Sequence, residues 1–365
     1  VAAELIAPFV VLVSPKDPAK PPSGEWLAKW ITENNAAFRK AFFRHGAIIF
    51  RGFDVPTPVS FERVALAVNT DLATVYLGTS PRSSINGTTY VHTAADFQQH
   101  RTLPTHIEMS FRDNPPQLQI FYASKVDHIA GGETPLTDFQ GVWDTIRSQE
   151  HLRRKFEGKH VTYLRNYDNT ASPSKIDPMM QKCWQDMFKG DTPDTVLQKC
   201  SAESFNCSFD QDSRLAIRNT QPWVRIHPVS GAEVWFNHIN VLVKDSMVYD
   251  YERTAALWGG LRGLWPLAIG LYYRALFAGL GLLWPESQFG SSSSFTEEDV
   301  PITGDAFWQV KRAVWKNTIQ QPYRVHDVVI VDNFRVGHGR EMYAGPRTSR
   351  QIMTAWSDSY PASWA

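Results

Sequence analysis

Cysteine is scarce. Cys183, Cys200 and Cys207 are the only three, an odd number with no Cys-x-x-Cys spacing, which argues against a disulfide or a zinc site. Reduced thiols are the expectation for all three. Net charge is lacking too, because 37 Lys and Arg residues balance 37 Asp and Glu, and no basic run stands out. The electrostatic footprint of a nucleic-acid surface is therefore absent, and a small-molecule partner, neutral or zwitterionic, fits better. The opening residues, VAAELIAPFVVLVSPKDPAKPPSG, lack the charged start and long apolar core of a secretory signal, so a cytoplasmic location is expected. Internal repeats are missing. So is a clean membrane span: the most apolar stretch, 254–285, carries Arg262, Pro266 and Arg274, and its uncharged runs are only about eleven residues long.

What is present is apolar surface. A 43% hydrophobic and 13% aromatic composition is ample for a core without staples, and the 365 residues are expected to form a single domain. Residues 25–44 place apolar side chains three and four apart, which predicts one amphipathic helix, and GAIIFRGF (46–53) follows as a short buried strand. Residues 59–69 read as a second helix. PQLQIFYAS (116–124), VVIVD (328–332) and RQIMTAW (350–356) read as strands, while GSSSSF (290–295) reads as a flexible connection.

In LPTHIEMSF (103–111), His106 and Glu108 stand two apart. With eleven histidines in the chain, chance supplies roughly one such pair, so the spacing alone decides nothing. A mononuclear iron site needs two imidazoles and one carboxylate on one face of the metal, with the remaining positions open. His338 in VDNFRVGHGR supplies the second imidazole if a barrel brings distant strands together.

HIEMSF, GGETPLTD (131–138), GAEVWFNHI (231–239), DNFRVGHGR (332–340) and SRQI (349–352) occur in an order that resembles the clavaminate synthase-like branch of the TauD/TfdA oxygenases. GAIIFRGF and GTSPRSSINGTTYVH (78–92) resemble the same branch, so the likeness runs from about residue 40 to 357. The resemblance implies a mainly β fold with flanking helices, built on a double-stranded β-helix (jelly-roll) core. It implies Fe(II) as metal, 2-oxoglutarate as cosubstrate and O2 as oxidant, with succinate and CO2 released. His106, Glu108 and His338 match the family's iron ligands. Thr134 and Arg350 match the residues that hold the cosubstrate, with Arg347 the competitor for Arg350's role.

Arg350 opens a strand, which keeps it on one face with Ile352 and Thr354. Its planar fork suits a carboxylate better than lysine would. Glu108 argues against halogenation, since halogenases of this superfamily lack that ligand. Arg82 and Asn237 are candidates for the substrate pocket; a surface salt bridge and a turn closure are their alternatives. His92, His100, His227 and His238 read as ordinary histidines. Hydroxylation of a small organic molecule is the expected reaction. Desaturation, oxidative cyclisation and a non-catalytic cupin-like binding protein stay open beside it. The 254–285 insertion reads as an apolar helix, serving as a substrate wall, a homo-oligomer contact or an attachment to a membrane surface.

Overall fold

The computed structural model describes residues 1–74, 82–94, 98–171, 183–243, 245–284, 292–296, 299–302 and 304–364. Residues 78–81 of the GTSPRSSINGTTYVH block, 290–291 of GSSSSF and Pro285 of the apolar insertion lie outside them.

Two facing sheets organise the chain. The larger has seven strands in the order Ala2–Ala7, Val10–Ser14, Ala47–Phe50, Val328–Asp332, Leu118–Val126, Arg350–Ser357 and His92–Thr93. The smaller has four, Thr318–Gln321, Thr134–Asp138, Val336–Arg340 and Leu103–His106. The chain passes from one sheet to the other: Leu103–His106 in the small, Leu118–Val126 in the large, Thr134–Asp138 in the small. It then repeats the pattern from Thr318–Gln321 through Val328–Asp332 and Val336–Arg340 to Arg350–Ser357. That alternation is a double-stranded β-helix, and its pairings are antiparallel.

Period-two side-chain placement explains why these runs become strands. Val329 and Val331 face the barrel interior with Ile49, Phe121, Leu136 and Val336. Val328 and Ile330 face the other way, under the N-terminal helices, with Leu27, Ile31, Phe38, Phe42 and Phe61. VVIVD is therefore apolar throughout because both of its faces are covered.

The single helix expected over 25–44 is two, Gly24–Glu33 and Asn35–His45. Asn34 marks the break: its backbone leaves the helical region (φ −108°, ψ 23°), and its side-chain amide joins its own backbone amide on the Trp30 carbonyl at 2.8 Å. GSSSSF is also not a loose connection, since Ser292–Phe295 pairs with His160–Tyr167 as the edge of a second four-stranded sheet. Ladder hydrogen bonds from a partner strand recruited a sequence with little strand propensity of its own. The expectation of three reduced thiols fails as well. Cys200, on the helix Pro193–Ala202, is bonded to Cys207, on the strand Asn206–Phe209, because the tight return between them brings their Cα atoms to 6.1 Å. Cys183 alone is free.

The 254–285 region is two helices, Ser246–Trp258 and Gly260–Leu283, and the second runs unbroken through Pro266. It is the one helix among the described residues long and apolar enough to cross a membrane. Its glycines let it lie close on its neighbour: a Cβ at Gly263 would meet the Ala255 carbonyl oxygen at 2.4 Å. Gly263, Pro266, Gly270 and Phe277 are buried, whereas Leu261 and Leu282 are 86% and 88% exposed.

Candidate metal centre

The small sheet sets His106 directly opposite His338, the last residue of one strand against the middle of the next. The glycines beside His338 make that approach possible. A Cβ at Gly337 would stand 2.2 Å from the Phe139 ring and 2.7 Å from the His106 carbonyl oxygen, and one at Gly339 2.6 Å from the Leu103 carbonyl oxygen. The register slips between His338 and Arg340, so the ladder bulges at the site.

Glu108 lies just past the strand, in a turn where Met109 takes the left-handed conformation (φ 51°). Asn333, fully buried and 225 positions away, clamps this turn. Its side-chain oxygen accepts from the Glu108 amide at 2.8 Å, and its side-chain nitrogen donates to the Glu108 carbonyl at 3.0 Å and the Pro116 carbonyl at 2.7 Å.

The Glu108 carboxylate then sits 3.6 Å from Nε2 of His338 and 4.0 Å from Nε2 of His106. The three ligand atoms lie within 4.8 Å of one another, all buried. The donor set fits a divalent iron. His106 donates from Nδ1 to the Pro104 carbonyl at 2.9 Å when that nitrogen carries the proton, which leaves Nε2 to face inward as a lone pair. Burial lowers the His106 pKa to about 4, with the neighbouring His338 adding to the effect, so the imidazole is neutral as a ligand must be. Burial works against the Glu108 charge, but the hydrogen bond from His338 and the positive charge of Arg82 overcome it and hold the carboxyl well below its usual range.

A cavity opens around this triad, with about 500 Å³ of empty space once the open solvent at its mouth is counted. Thr134 and Arg350 also line it. The Arg350 guanidinium donates to Thr134 Oγ1 and to the Gly132 carbonyl, both at 2.9 Å. Among the described residues no carboxylate pairs with it. Arg347, in contrast, is exposed and away from the cavity.

Arg82 lines the cavity and donates to Glu108 at 3.2 Å. Asn237 is not among the residues lining it: its amide nitrogen donates to the Trp223 carbonyl, 14 residues away, and its amide oxygen accepts from the Ile239 amide. His92, His100 and His227 stand outside the metal cluster. His238 is closer than expected, edge-on to the His106 ring with centroids 5.3 Å apart and bonded to Ser110, and burial keeps it neutral with a pKa of about 3. No described residue of 254–285 is among those that line this cavity.

Sequence reasoning missed the Asn333 clamp, although Asn333 stands inside the DNFRVGHGR block. It also missed Phe121, whose ring lies 4.6 Å from that of His338, and Tyr323, which lines the cavity.

Residues 18–356 match the family described as taurine catabolism dioxygenase TauD, TfdA family. The chain is similar to the dapdiamide synthesis protein DdaC of Enterobacter agglomerans, 26% identical over 308 residues that cover 84% of this chain and 80% of the relative. A clavaminate synthase-like protein of Arabidopsis thaliana is 22% identical over 306 residues, covering 83% and 79%. Among solved structures, PvcB of Pseudomonas aeruginosa superposes with a TM-score of 0.49 at 14% identity, over 96% of this chain and 85% of that one. The chain belongs to the TauD/TfdA family of iron- and 2-oxoglutarate-dependent dioxygenases.

Proposed function

We propose that His106, Glu108 and His338 hold the iron, that Arg350 and Thr134 hold the distal carboxylate of 2-oxoglutarate, and that the enzyme hydroxylates a small organic molecule. The observation that carries this reading is the Arg350 guanidinium, a largely enclosed cation lining the cavity with no carboxylate among the described residues bonded to it. Burying an unpaired charge is costly unless a ligand of opposite charge arrives. A dicarboxylate reaching from Arg350 toward the His-Glu-His cluster satisfies both ends. Iron and 2-oxoglutarate supply the oxidising chemistry, O2 being consumed as 2-oxoglutarate becomes succinate and CO2.

The protein's own part is placement. Asn333 fixes the Glu108 turn, His238 buttresses the His106 ring, and Arg82 keeps Glu108 ionised. Phe121, Ile352 and Leu103 give the cavity apolar walls. Adding Fe(II) and 2-oxoglutarate without oxygen is expected to give a weak visible charge-transfer band, and its absence would refute the reading. The substrate is then found by screening for compounds that stimulate succinate release. A product heavier by one oxygen establishes hydroxylation, and one lighter by two hydrogens establishes desaturation or ring closure instead.

A further inference from the structure

Tyr323 follows the strand Thr318–Gln321 and turns its ring into the barrel, where it packs in the interior cluster with Leu136 and Val329. It is only 6% exposed and it lines the cavity beside Arg350 and Thr134. The guanidinium carbon of Arg350 stands 6.0 Å from the ring centroid. The Tyr323 hydroxyl is buried next to Thr134 and forms no hydrogen bond of good geometry.

An apolar pocket that merely needed filling would be served by phenylalanine, because a buried hydroxyl without a partner is destabilising. Nor is the ring there by looseness of its loop. Arg51 bonds both the Pro322 carbonyl at 2.9 Å and the Asp327 carboxylate at 2.6 Å, and the Arg324 amide donates to Asp327 at 2.8 Å, so the residues on either side of Tyr323 are pinned. The hydroxyl is thus held at the cavity wall beside Thr134 and the Arg350 guanidinium, with no carboxylate among the described residues paired to that cation.

We infer that the Tyr323 hydroxyl is a third donor, with Arg350 and Thr134, to the distal carboxylate of 2-oxoglutarate. The inference rests on the proposed cosubstrate orientation. Burial raises the phenol's pKa above its ordinary value, so the group is a protonated donor throughout the working pH range. Three donors of different shape also give the site a length gauge: a 2-oxo acid lacking the far carboxylate reaches none of them.

The test compares the Mn(II)-loaded wild type and Tyr323→Phe by titration calorimetry with 2-oxoglutarate and with 2-oxobutyrate, which keeps the chelating end and lacks the distal carboxylate. The substitution is expected to weaken 2-oxoglutarate binding by about tenfold, the scale of a lost hydrogen bond to a charged group, and to leave 2-oxobutyrate and Mn(II) binding unchanged. The melting temperature of the ligand-free variant should hold or rise, since an unsatisfied hydroxyl has been removed. Unchanged affinity for 2-oxoglutarate, or a parallel loss for both acids, overturns the inference while leaving the proposed function standing. A wild type that binds no 2-oxoglutarate at all overturns both.

Discussion

At the scale of single residues, the centre is a balance between burial and charge. Arg350 is the clearest case. Replacing it with alanine removes one partner of the buried pair formed with the cosubstrate, a loss of roughly 3–5 kcal/mol, so the 2-oxoglutarate KM is expected to rise at least a hundredfold with the fold intact. Arg347→Ala, at an exposed position, should change little, and steady-state kinetics on the two variants decides between them. His106 makes the second prediction. Its folded pKa of about 4 lies below the ordinary 6.5, so between these values the unfolded chain binds the proton and the folded metal-free protein does not. Stability therefore falls as pH drops from about 6.5 toward 4. Thermal melts of metal-free protein across that window should show it, and His106→Gln should make the slope shallower, the remainder coming from His238 with its pKa of about 3. A wild-type melting temperature that is level over the window would show that His106 is not buried as a neutral imidazole.

Individual elements show where sequence was readable. The strands around the site were legible because alternation and continuous apolar runs are local signals, as in VVIVD. The Gly-His-Gly run was legible only as a motif; the reason for its glycines, the press of Phe139 and the neighbouring strand, is a contact between segments. Gly337→Ala is expected to push the two histidine strands apart and abolish metal binding, with calorimetry of Fe(II) or Mn(II) as the readout; full binding would mean that the strand tolerates the Cβ. The same limit explains the misses. Asn237 sits in a family-like block, but only its bonds to Trp223 and Ile239 reveal that its amide is already spent. Ser292–Phe295 is a strand because His160–Tyr167 offers it a ladder, and Cys200 meets Cys207 because a helix and a strand return on each other. Partners distant in sequence, Asn333 for Glu108 above all, leave no periodicity to read.

For the molecule as a whole, the helix Gly260–Leu283 has two sides with different consequences. Its inner side joins the active-site half of the barrel through one small cluster, in which Phe277 packs with Met247, Tyr251 and Met342, the last only four residues from His338. Its outer side, with Leu261, Leu264, Leu271 and Leu282 all more than half exposed, touches neither the cavity nor the sheets. Phe277→Ala should therefore cost about 3–4 kcal/mol as a cavity in that cluster and loosen the chain next to Glu341. The fourfold change of Leu261, Leu264, Leu271 and Leu282 to serine should leave Mn(II) and 2-oxoglutarate affinities within about twofold, because side chains already in water lose little on becoming polar. It should also raise solubility, since so continuous an apolar stripe promotes sticking between molecules. Calorimetry and the solution mass of the two variants check this together. If the outer-face variant lost 2-oxoglutarate binding, the helix would have to close over the cavity in solution, and the separation of insertion from site drawn from the cavity's walls would be wrong.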